Sequence, residues 1–179
     1  LQLFVEYCKD NGINAKEVKG SVNYDSYCFA LKHGRFWGDN QQNMDEAASI
    51  MKYAMENLPL FKTITVNGNV FSNAGSNISQ ELGFSLAMAN EYLYYMTERG
   101  IKAEDCIERM MLSFATGSTY FMEIAKVRAA RLLWTKIAEQ YTKDDNAAKI
   151  FIHCEDSKYN KTVFDAYVNM LRTTTETMS

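Results

Sequence analysis

The sequence predicts an α/β fold of about four parallel β/α units, in a single domain that covers residues 1–179. Short apolar or alternating runs are separated by long segments with helical periodicity. The predicted strands begin about 40 to 47 residues apart, and a helix follows each of them. The chain contains a single proline, Pro59, and no low-complexity linker. Alternating β and α elements favour a parallel sheet with right-handed crossovers.

The N-terminal elements are short. Residues 1–10 are predicted to form a helix that ends at Asn11 and Gly12, because this pair is a common C-terminal stop. Residues 16–22 are predicted to form the first strand.

A polar loop over residues 33–43 is predicted to precede the first long helix. Asn43 and Glu46 have the spacing of a capping box, which places the helix start there. Methionines and alanines recur on one face of this helix, and Pro59 prevents its continuation.

The remaining predicted elements alternate regularly. They are strands 63–67, 110–116 and 149–154 and helices 79–99, 119–141 and 162–178. The methionine and tyrosine stripes on the helices are interpreted as core or interface. These elements fit either an open doubly wound sheet or part of a β/α barrel, since four strands are too few to close a barrel of about eight.

Composition excludes several classes of partner. Apolar residues make up 47% of the chain and charged residues 23%, which is typical of a globular protein. The net charge of −3 gives no electrostatic basis for binding nucleic acid or an anionic membrane. No apolar run approaches the length of about 18 residues that a membrane span needs. The chain begins at Leu1 rather than methionine, which suggests an excised or processed piece.

The four cysteines are widely spaced and form no C-x-x-C motif. They are Cys8, Cys28, Cys106 and Cys154. This spacing does not favour zinc, and we expect no metal site. Reduced, mostly buried cysteines are the expected state, and they indicate a cytoplasmic protein.

The loop GNVFSNAGSN, residues 68–77, occupies a position where α/β proteins usually carry their chemistry. It lies between a predicted strand and a predicted helix, yet it contains no strong acid, base or nucleophile. An inert loop in this position requires an explanation.

Two further segments are candidate sites. Lys126, Arg128 and Arg131 suggest phosphate binding, but the favoured interpretation is pairing with Glu123 or coverage of apolar surface. In FIHCEDS, His153, Glu155 and Asp156 end a strand. A metal or acid–base pair is conceivable there, and hydrogen-bonded polar residues at a strand end are favoured.

Four stretches together carry a family resemblance. They are TITVNGNVFSNAGSNISQELGFSLAMANEYL, FMEIAKVRAARLLW, HCEDS and DAYVNMLRTTTETM. In order and spacing they resemble the substrate-binding barrel of the methylmalonyl-CoA mutases, which are adenosylcobalamin-dependent isomerases. The resemblance extends from about residue 20 to residue 179 and implies a partial (β/α)₈ barrel of TIM type. The chain would supply the central part of that barrel.

The sequence departs from the family where chemistry is expected. Catalytic members carry Tyr-His where this chain has Asn69 and Val70; the histidine contacts the thioester carbonyl and the tyrosine assists cobalt–carbon cleavage. Glu155 replaces a glutamine, Asn23 falls where a substrate-binding glutamine is expected, and Asn146 falls near an expected lysine. Val70 has no group for electrostatic or acid–base work.

Other family positions bear on substrate binding. Met111 and Ser113 replace residues that contact coenzyme A, whereas Arg109 matches a family arginine and His153 is retained. The resemblance therefore implies at most substrate contacts by Arg109 and His153, and no catalytic residue.

Some bacterial mutases pair a large catalytic chain with a small non-catalytic homologue, and this sequence resembles the small chain. The resemblance implies a catalytic large subunit as partner and adenosylcobalamin in the holoenzyme, with none bound to this part. The alternatives are an active acyl-CoA mutase of altered specificity and a non-enzymatic α/β interaction module. Because half a barrel exposes two strand edges, the isolated chain is expected to self-associate.

Overall fold

The computed structural model describes residues 1–144 and 148–178 of the chain. Its strands are β1 (Gly20–Tyr24), β2 (Phe61–Asn67), β3 (Met110–Thr116) and β4 (Phe151–Asp156). Its helices are α1 (Gln2–Asp10), α2 (Ser26–His33), α3 (Asn40–Asn57), α4 (Asn69–Asn73), α5 (Ile78–Glu98), α6 (Ala103–Arg109), α7 (Tyr120–Ala138) and α8 (Ala166–Met178). None of these helices combines the length and apolar character that a membrane span requires.

The four strands form one parallel sheet in the order β1-β2-β3-β4. Each strand therefore pairs with its neighbour in sequence, and Ser113 of β3 lies opposite His153 of β4. A doubly wound sheet reverses its strand order at a switch point, whereas a β/α barrel adds strands sequentially. The observed order confirms the parallel prediction and is that of a partial β/α barrel, with β1 and β4 at its edges.

The predicted boundaries are best in the middle of the chain. Strand 110–116 is confirmed at both ends, and strand 63–67 begins two residues earlier, at Phe61. The first strand was predicted too early: residues Ala15–Glu17 form a 3₁₀ turn, and the strand begins at Gly20.

The capping box predicted at Asn43 is wrong. The side chain of Asp39 accepts a hydrogen bond from the Gln42 backbone amide at 2.8 Å, and the Gln42 side chain accepts one from the Asp39 amide. Helix α3 therefore begins at Asn40, and Asn43 is buried inside it. The earlier box prevails because Asp39 is itself a strong cap and precedes the first buried turn.

Three short helices were not predicted, namely α2, α4 and α6. Helix α2 starts after Asp25, whose side chain accepts a hydrogen bond from the Cys28 amide at 3.0 Å. Helix α6 leads directly into β3. All three have eight residues or fewer, which is too short for a clear helical period.

The core lies between the sheet and helices α3, α5 and α7. Most of the methionine stripes interpreted as core lie there: Met44, Met51 and Met96 are fully buried, whereas Met55 and Met88 are partly buried and pack against the core. Three cysteines are buried and Cys154 is exposed, as the sequence led us to expect.

A buried ion pair joins α5, α7 and the end of β3. Lys126 is 2% exposed and Glu81 is 1% exposed, and 2.8 Å separates Lys126 Nζ from Glu81 Oε2. Lys126 Nζ also donates to the carbonyl of Ala115 at 2.5 Å, while the Ala115 amide donates to Glu81 Oε1 at 2.8 Å. A second carboxylate, that of Glu123, lies 2.6 Å from the ammonium group. The ion pair therefore forms hydrogen bonds with both the backbone amide and the backbone carbonyl of Ala115 in β3.

Replacing Lys126 with methionine is predicted to loosen this junction strongly. The substitution leaves the buried Glu81 carboxylate without its counterion, a loss that costs about 3–5 kcal/mol in comparable sites. We expect faster amide hydrogen exchange in peptides covering β3 and α7 of the whole protein, measured by mass spectrometry.

Lys136→Met is the matched control, because Lys136 is exposed on the same helix. It should leave the exchange of both peptides unchanged. Equal exchange in the two variants would contradict the role assigned to Lys126.

Candidate functional site

One face of the sheet lines a cavity of about 690 Å³. Alternate residues of a strand face the same side, so the cavity collects every second side chain from each strand. The predicted site residues that line it are Asn23, Met111, Ser113, His153 and Glu155, and Thr65 and Asn67 join them from β2. The structure thus brings together positions that lie far apart in sequence.

Asn23 is held in this cavity by Asn67. The Asn67 side-chain amide donates to Asn23 Oδ1 at 2.9 Å and to Asp25 Oδ2 at 2.9 Å. The Asn67 backbone amide donates to the same Asp25 oxygen at 2.8 Å. These contacts join the C-terminal ends of β1 and β2, and they engage the side-chain amide oxygen of Asn23.

Asp25 is a central polar group that sequence reasoning missed. Besides Asn67 it accepts hydrogen bonds from the Cys28 amide and, at 2.9 Å, from the Tyr92 hydroxyl. Burial raises the pKa of the Asp25 carboxyl, and its hydrogen-bond donors oppose that rise. Burial and the Asp25 charge also raise the pKa of Tyr92. The signal in the sequence was the N-cap position of Asp25 before an unpredicted helix.

Two of the positions that the family resemblance singles out, Asn69 and Glu155, bind each other. The Asn69 side-chain amide donates to Glu155 Oε1 at 2.5 Å, although 86 residues separate them in sequence. The Glu155 backbone carbonyl accepts a hydrogen bond from Thr116 Oγ1 at 3.0 Å. A self-paired amide and carboxylate thus close the C-terminal edge of the sheet between β2 and β4.

The segment predicted as the loop GNVFSNAGSN is partly helical. Residues Asn69–Asn73 form α4, one short turn that follows β2 directly. Val70 lies in this turn and is half-buried. Its side chain carries no polar atom, so the first turn after β2 supplies neither an acid nor a base.

Gly68 is required by a close approach of two elements. Its φ of −62° is ordinary for any residue, so backbone conformation does not demand glycine. A Cβ at this position would lie 2.1 Å from Ser85 Oγ and 3.1 Å from the Ser113 carbonyl oxygen. The end of β2 therefore packs directly against α5 and β3.

Arg109 lies away from these residues. It precedes β3, at the N-terminal edge of the sheet, and is 6% exposed. Its guanidinium group donates to the Asp105 carbonyl at 3.0 Å and pairs with Glu108 at 3.3 Å. Arg109 lies at the N-terminal edge and His153 in the middle of β4, opposite Ser113, and a substrate contact by either stays a prediction.

The remaining predicted positions have separate outcomes. Lys126 pairs with Glu123, as the favoured interpretation of that helix held. Asn146 lies outside the described residues. Within the described residues, no group of three histidine, cysteine, aspartate or glutamate side chains is arranged to hold a metal ion.

Sequentially ordered parallel strands and outer helices define part of a β/α barrel. Its C-terminal edge, where such barrels usually place their chemistry, carries the Asn69–Glu155 pair. The family model described as methylmalonyl-CoA mutase matches residues 1–179. The chain belongs to the methylmalonyl-CoA mutase family.

Similar proteins include both kinds of mutase chain. The chain is 43% identical to the methylmalonyl-CoA mutase small subunit of Porphyromonas gingivalis, over 100% of this chain and 29% of that relative. It is 31% identical to the methylmalonyl-CoA mutase of Rhizobium meliloti, over 100% of this chain and 25% of that relative. The large subunit of P. gingivalis is 28% identical over 100% of this chain and 25% of its own length. The chain thus spans less than a third of the length of each of these curated relatives.

Replacing Gly68 with alanine is predicted to destabilise the protein by about 1–3 kcal/mol, as overpacking of a tight contact usually does. The added methyl group forces α5 and β3 away from the end of β2. Thermal unfolding followed by circular dichroism measures the loss.

Gly83→Ala is the matched control within α5. A Cβ at Gly83 meets nothing within 4 Å, and alanine in a helix is favoured over glycine by about 0.5–1 kcal/mol. The control should therefore raise the melting temperature. A similar gain from Gly68→Ala would contradict the close approach described above.

Proposed function

We propose that this chain is part of the small, non-catalytic subunit of a heterodimeric, adenosylcobalamin-dependent methylmalonyl-CoA mutase. In this proposal the holoenzyme interconverts methylmalonyl-CoA and succinyl-CoA in the cytoplasm. The large subunit performs the chemistry, and this chain supports it structurally.

The Asn69–Glu155 pair is the observation that carries the proposal. The resemblance assigns to catalytic chains a histidine that contacts the thioester carbonyl, and removing a donor of this kind commonly slows a reaction by about 10²–10³-fold. Here the Asn69 amide is directed at Glu155 at 2.5 Å. Val70, the next residue, has nothing to donate.

The charge of Glu155 supports the same conclusion. A carboxylate beside a thioester carbonyl oxygen would repel the partial negative charge of that oxygen, and this repulsion is strongest where water is scarce. The Glu155 carboxylate accepts a hydrogen bond from the Asn69 amide, so these two groups are engaged in a contact between the ends of β2 and β4. The edge is organised as a structural contact rather than as a reaction centre.

The residues that follow β2 here, Asn69 and Val70, carry no phenol or imidazole group that could assist adenosylcobalamin chemistry. The resemblance assigns cobalt–carbon cleavage to a tyrosine hydroxyl, and Asn69 occupies that position. We therefore derive no cofactor step from this chain and assign the cofactor to the catalytic subunit of the holoenzyme.

Similarity to known subunits supports the choice of partner. The small subunit at 43% identity and a large subunit at 28% identity both come from P. gingivalis. A chain of the small type with a degenerate edge requires a catalytic chain for turnover. We propose that the large subunit is that partner.

An active mutase of altered specificity is the second candidate. His153 favours it, because this residue lines the cavity and is exposed, so it could bind a substrate or transfer a proton. The third interpretation, an unrelated interaction module, is opposed by the family match across the whole chain.

Substitutions at the edge discriminate between the two candidates. We predict that Asn69→Ala and His153→Ala, made in the full-length protein in complex with its large subunit, leave kcat and KM unchanged. The reason is that, in this proposal, turnover takes place in the large subunit. Steady-state isomerase assays with adenosylcobalamin measure both constants.

Ser21→Ala serves as the control, because Ser21 lines the same cavity from β1 and belongs to none of the degenerate positions. Assembly of each variant complex is checked by size-exclusion chromatography. A fall in kcat on the order of 10²-fold for His153→Ala alone would contradict the proposal and favour the active mutase.

A further inference from the structure

An outer cleft of about 920 Å³ separates α7 from α8. It lies beyond the end of β3 and is distinct from the cavity that holds Glu155 and His153. Three arginines line it: Arg128 and Arg131 from α7, and Arg172 from α8. Residues three apart share a helix face, so Arg128 and Arg131 reach the cleft together.

The carboxylates in this cleft do not neutralise the arginines. Glu123 pairs with Lys126 at 2.6 Å, and Glu176 pairs with Lys161 at 2.5 Å. Both carboxylates line the cleft, but neither lysine does. Lys126 also faces the Glu81 carboxylate, so one carboxylate charge is left over. The three arginines outnumber it, and the cleft keeps a net positive charge.

Arg128 and Arg131 are also free to bind. Among the described residues, the guanidinium group of neither arginine forms a hydrogen bond or an ion pair, whereas that of Arg99 pairs with Asp45 at 2.7 Å. Arg172 donates to the backbone carbonyl of Asn160 and so fixes α8 to the preceding loop. Two exposed guanidinium groups thus face an open cleft without partners.

Apolar side chains surround these charges. Tyr120 and Ile124 line the cleft and are exposed. Phe121 and Leu132, on the same helix, are 80% and 62% exposed. Arginines combined with exposed aromatic and aliphatic groups are typical of protein–protein interfaces, and such a patch is uncommon on a free surface.

Resting on the proposed function, we infer that the α7–α8 cleft docks an acidic segment of the catalytic large subunit. Carboxylates of that segment pair with Arg128 and Arg131, whose planar forks bind carboxylates in a bidentate manner. Apolar residues of the same segment pack on Tyr120 and Ile124. The charge of the cleft selects the acidic segment, and the apolar rim excludes water from the contact.

Charge reversal of α7 tests the inference. The full-length protein that contains this chain is mixed with its large subunit, and Kd is measured by sedimentation velocity at low and high salt. The double variant Arg128→Glu, Arg131→Glu should raise Kd on the order of 10- to 100-fold at low salt. The salt dependence of Kd should fall as well, since the attractive charges are gone.

Two variants control for effects other than charge in the cleft. Lys136→Glu reverses an exposed charge on the same helix outside the cleft and should leave Kd unchanged. The double variant Arg128→Lys, Arg131→Lys keeps the charge but loses the bidentate fork, so its Kd should be intermediate.

The outcomes separate this inference from the proposed function. An unchanged Kd for the charge-reversed protein overturns the inference but leaves the subunit proposal standing. The charge-reversed protein could instead show an unchanged Kd together with a lowered melting temperature when it is measured without the large subunit. That result would assign the cleft to a contact within its own protein and would also overturn the inference. Failure of the unaltered protein to bind the large subunit contradicts the proposed function itself.

Discussion

Lys126 places a charged ammonium group in the protein interior, between the carboxylates of Glu81 and Glu123. Burying these charges is costly, and the cost is offset because every member also binds backbone or a counterion. The Ala115 amide donates a hydrogen bond to Glu81, and the Ala115 carbonyl accepts one from Lys126. The C-terminal end of β3 therefore has one fixed position relative to α5 and α7. Lys126 belongs to the segment EIAKVRAARLLW, which carries the family resemblance in the sequence. Part of that segment therefore has a structural role, because it fixes the end of β3.

The ion pair supports the C-terminal edge of the sheet, which is where β/α barrels usually place their chemistry. In this chain Asn69 and Glu155 occupy that edge. Gly68 lets β2 approach α5 and β3 closely, and α4 then turns across the end of the sheet. In that position Asn69 meets Glu155 and closes the edge. The barrel frame depends on buried contacts such as the Lys126–Glu81 pair, and the half-buried positions at its C-terminal edge can vary without altering that frame.

Sequence periodicity recovered the architecture where elements are long or fully buried. Strand β3 alternates between core and cavity over seven residues, and its limits were predicted at both ends. Helices α2 and α6 were missed because eight and seven residues give little periodic signal. The start of α3 was misplaced because two overlapping caps compete in one polar stretch, and Asp39 prevails.

The site was only partly predictable for a different reason. Asn69 and Glu155 were identified one by one through family resemblance, yet their hydrogen bond joins residues 86 apart and depends on strand order. Asp25 was missed because its partners, Asn67 and Tyr92, come from other elements. Local sequence patterns report local structure, whereas polar networks of this kind arise from the tertiary arrangement.

The most direct test of the account is isomerase turnover by the full-length protein on its own. Interconversion of methylmalonyl-CoA and succinyl-CoA would be followed with adenosylcobalamin present, first without and then with the catalytic large subunit. The account predicts no turnover by the protein alone and normal turnover by the pair. Turnover by the protein alone would contradict it, because a side chain other than Val70 would then have to supply the missing chemistry.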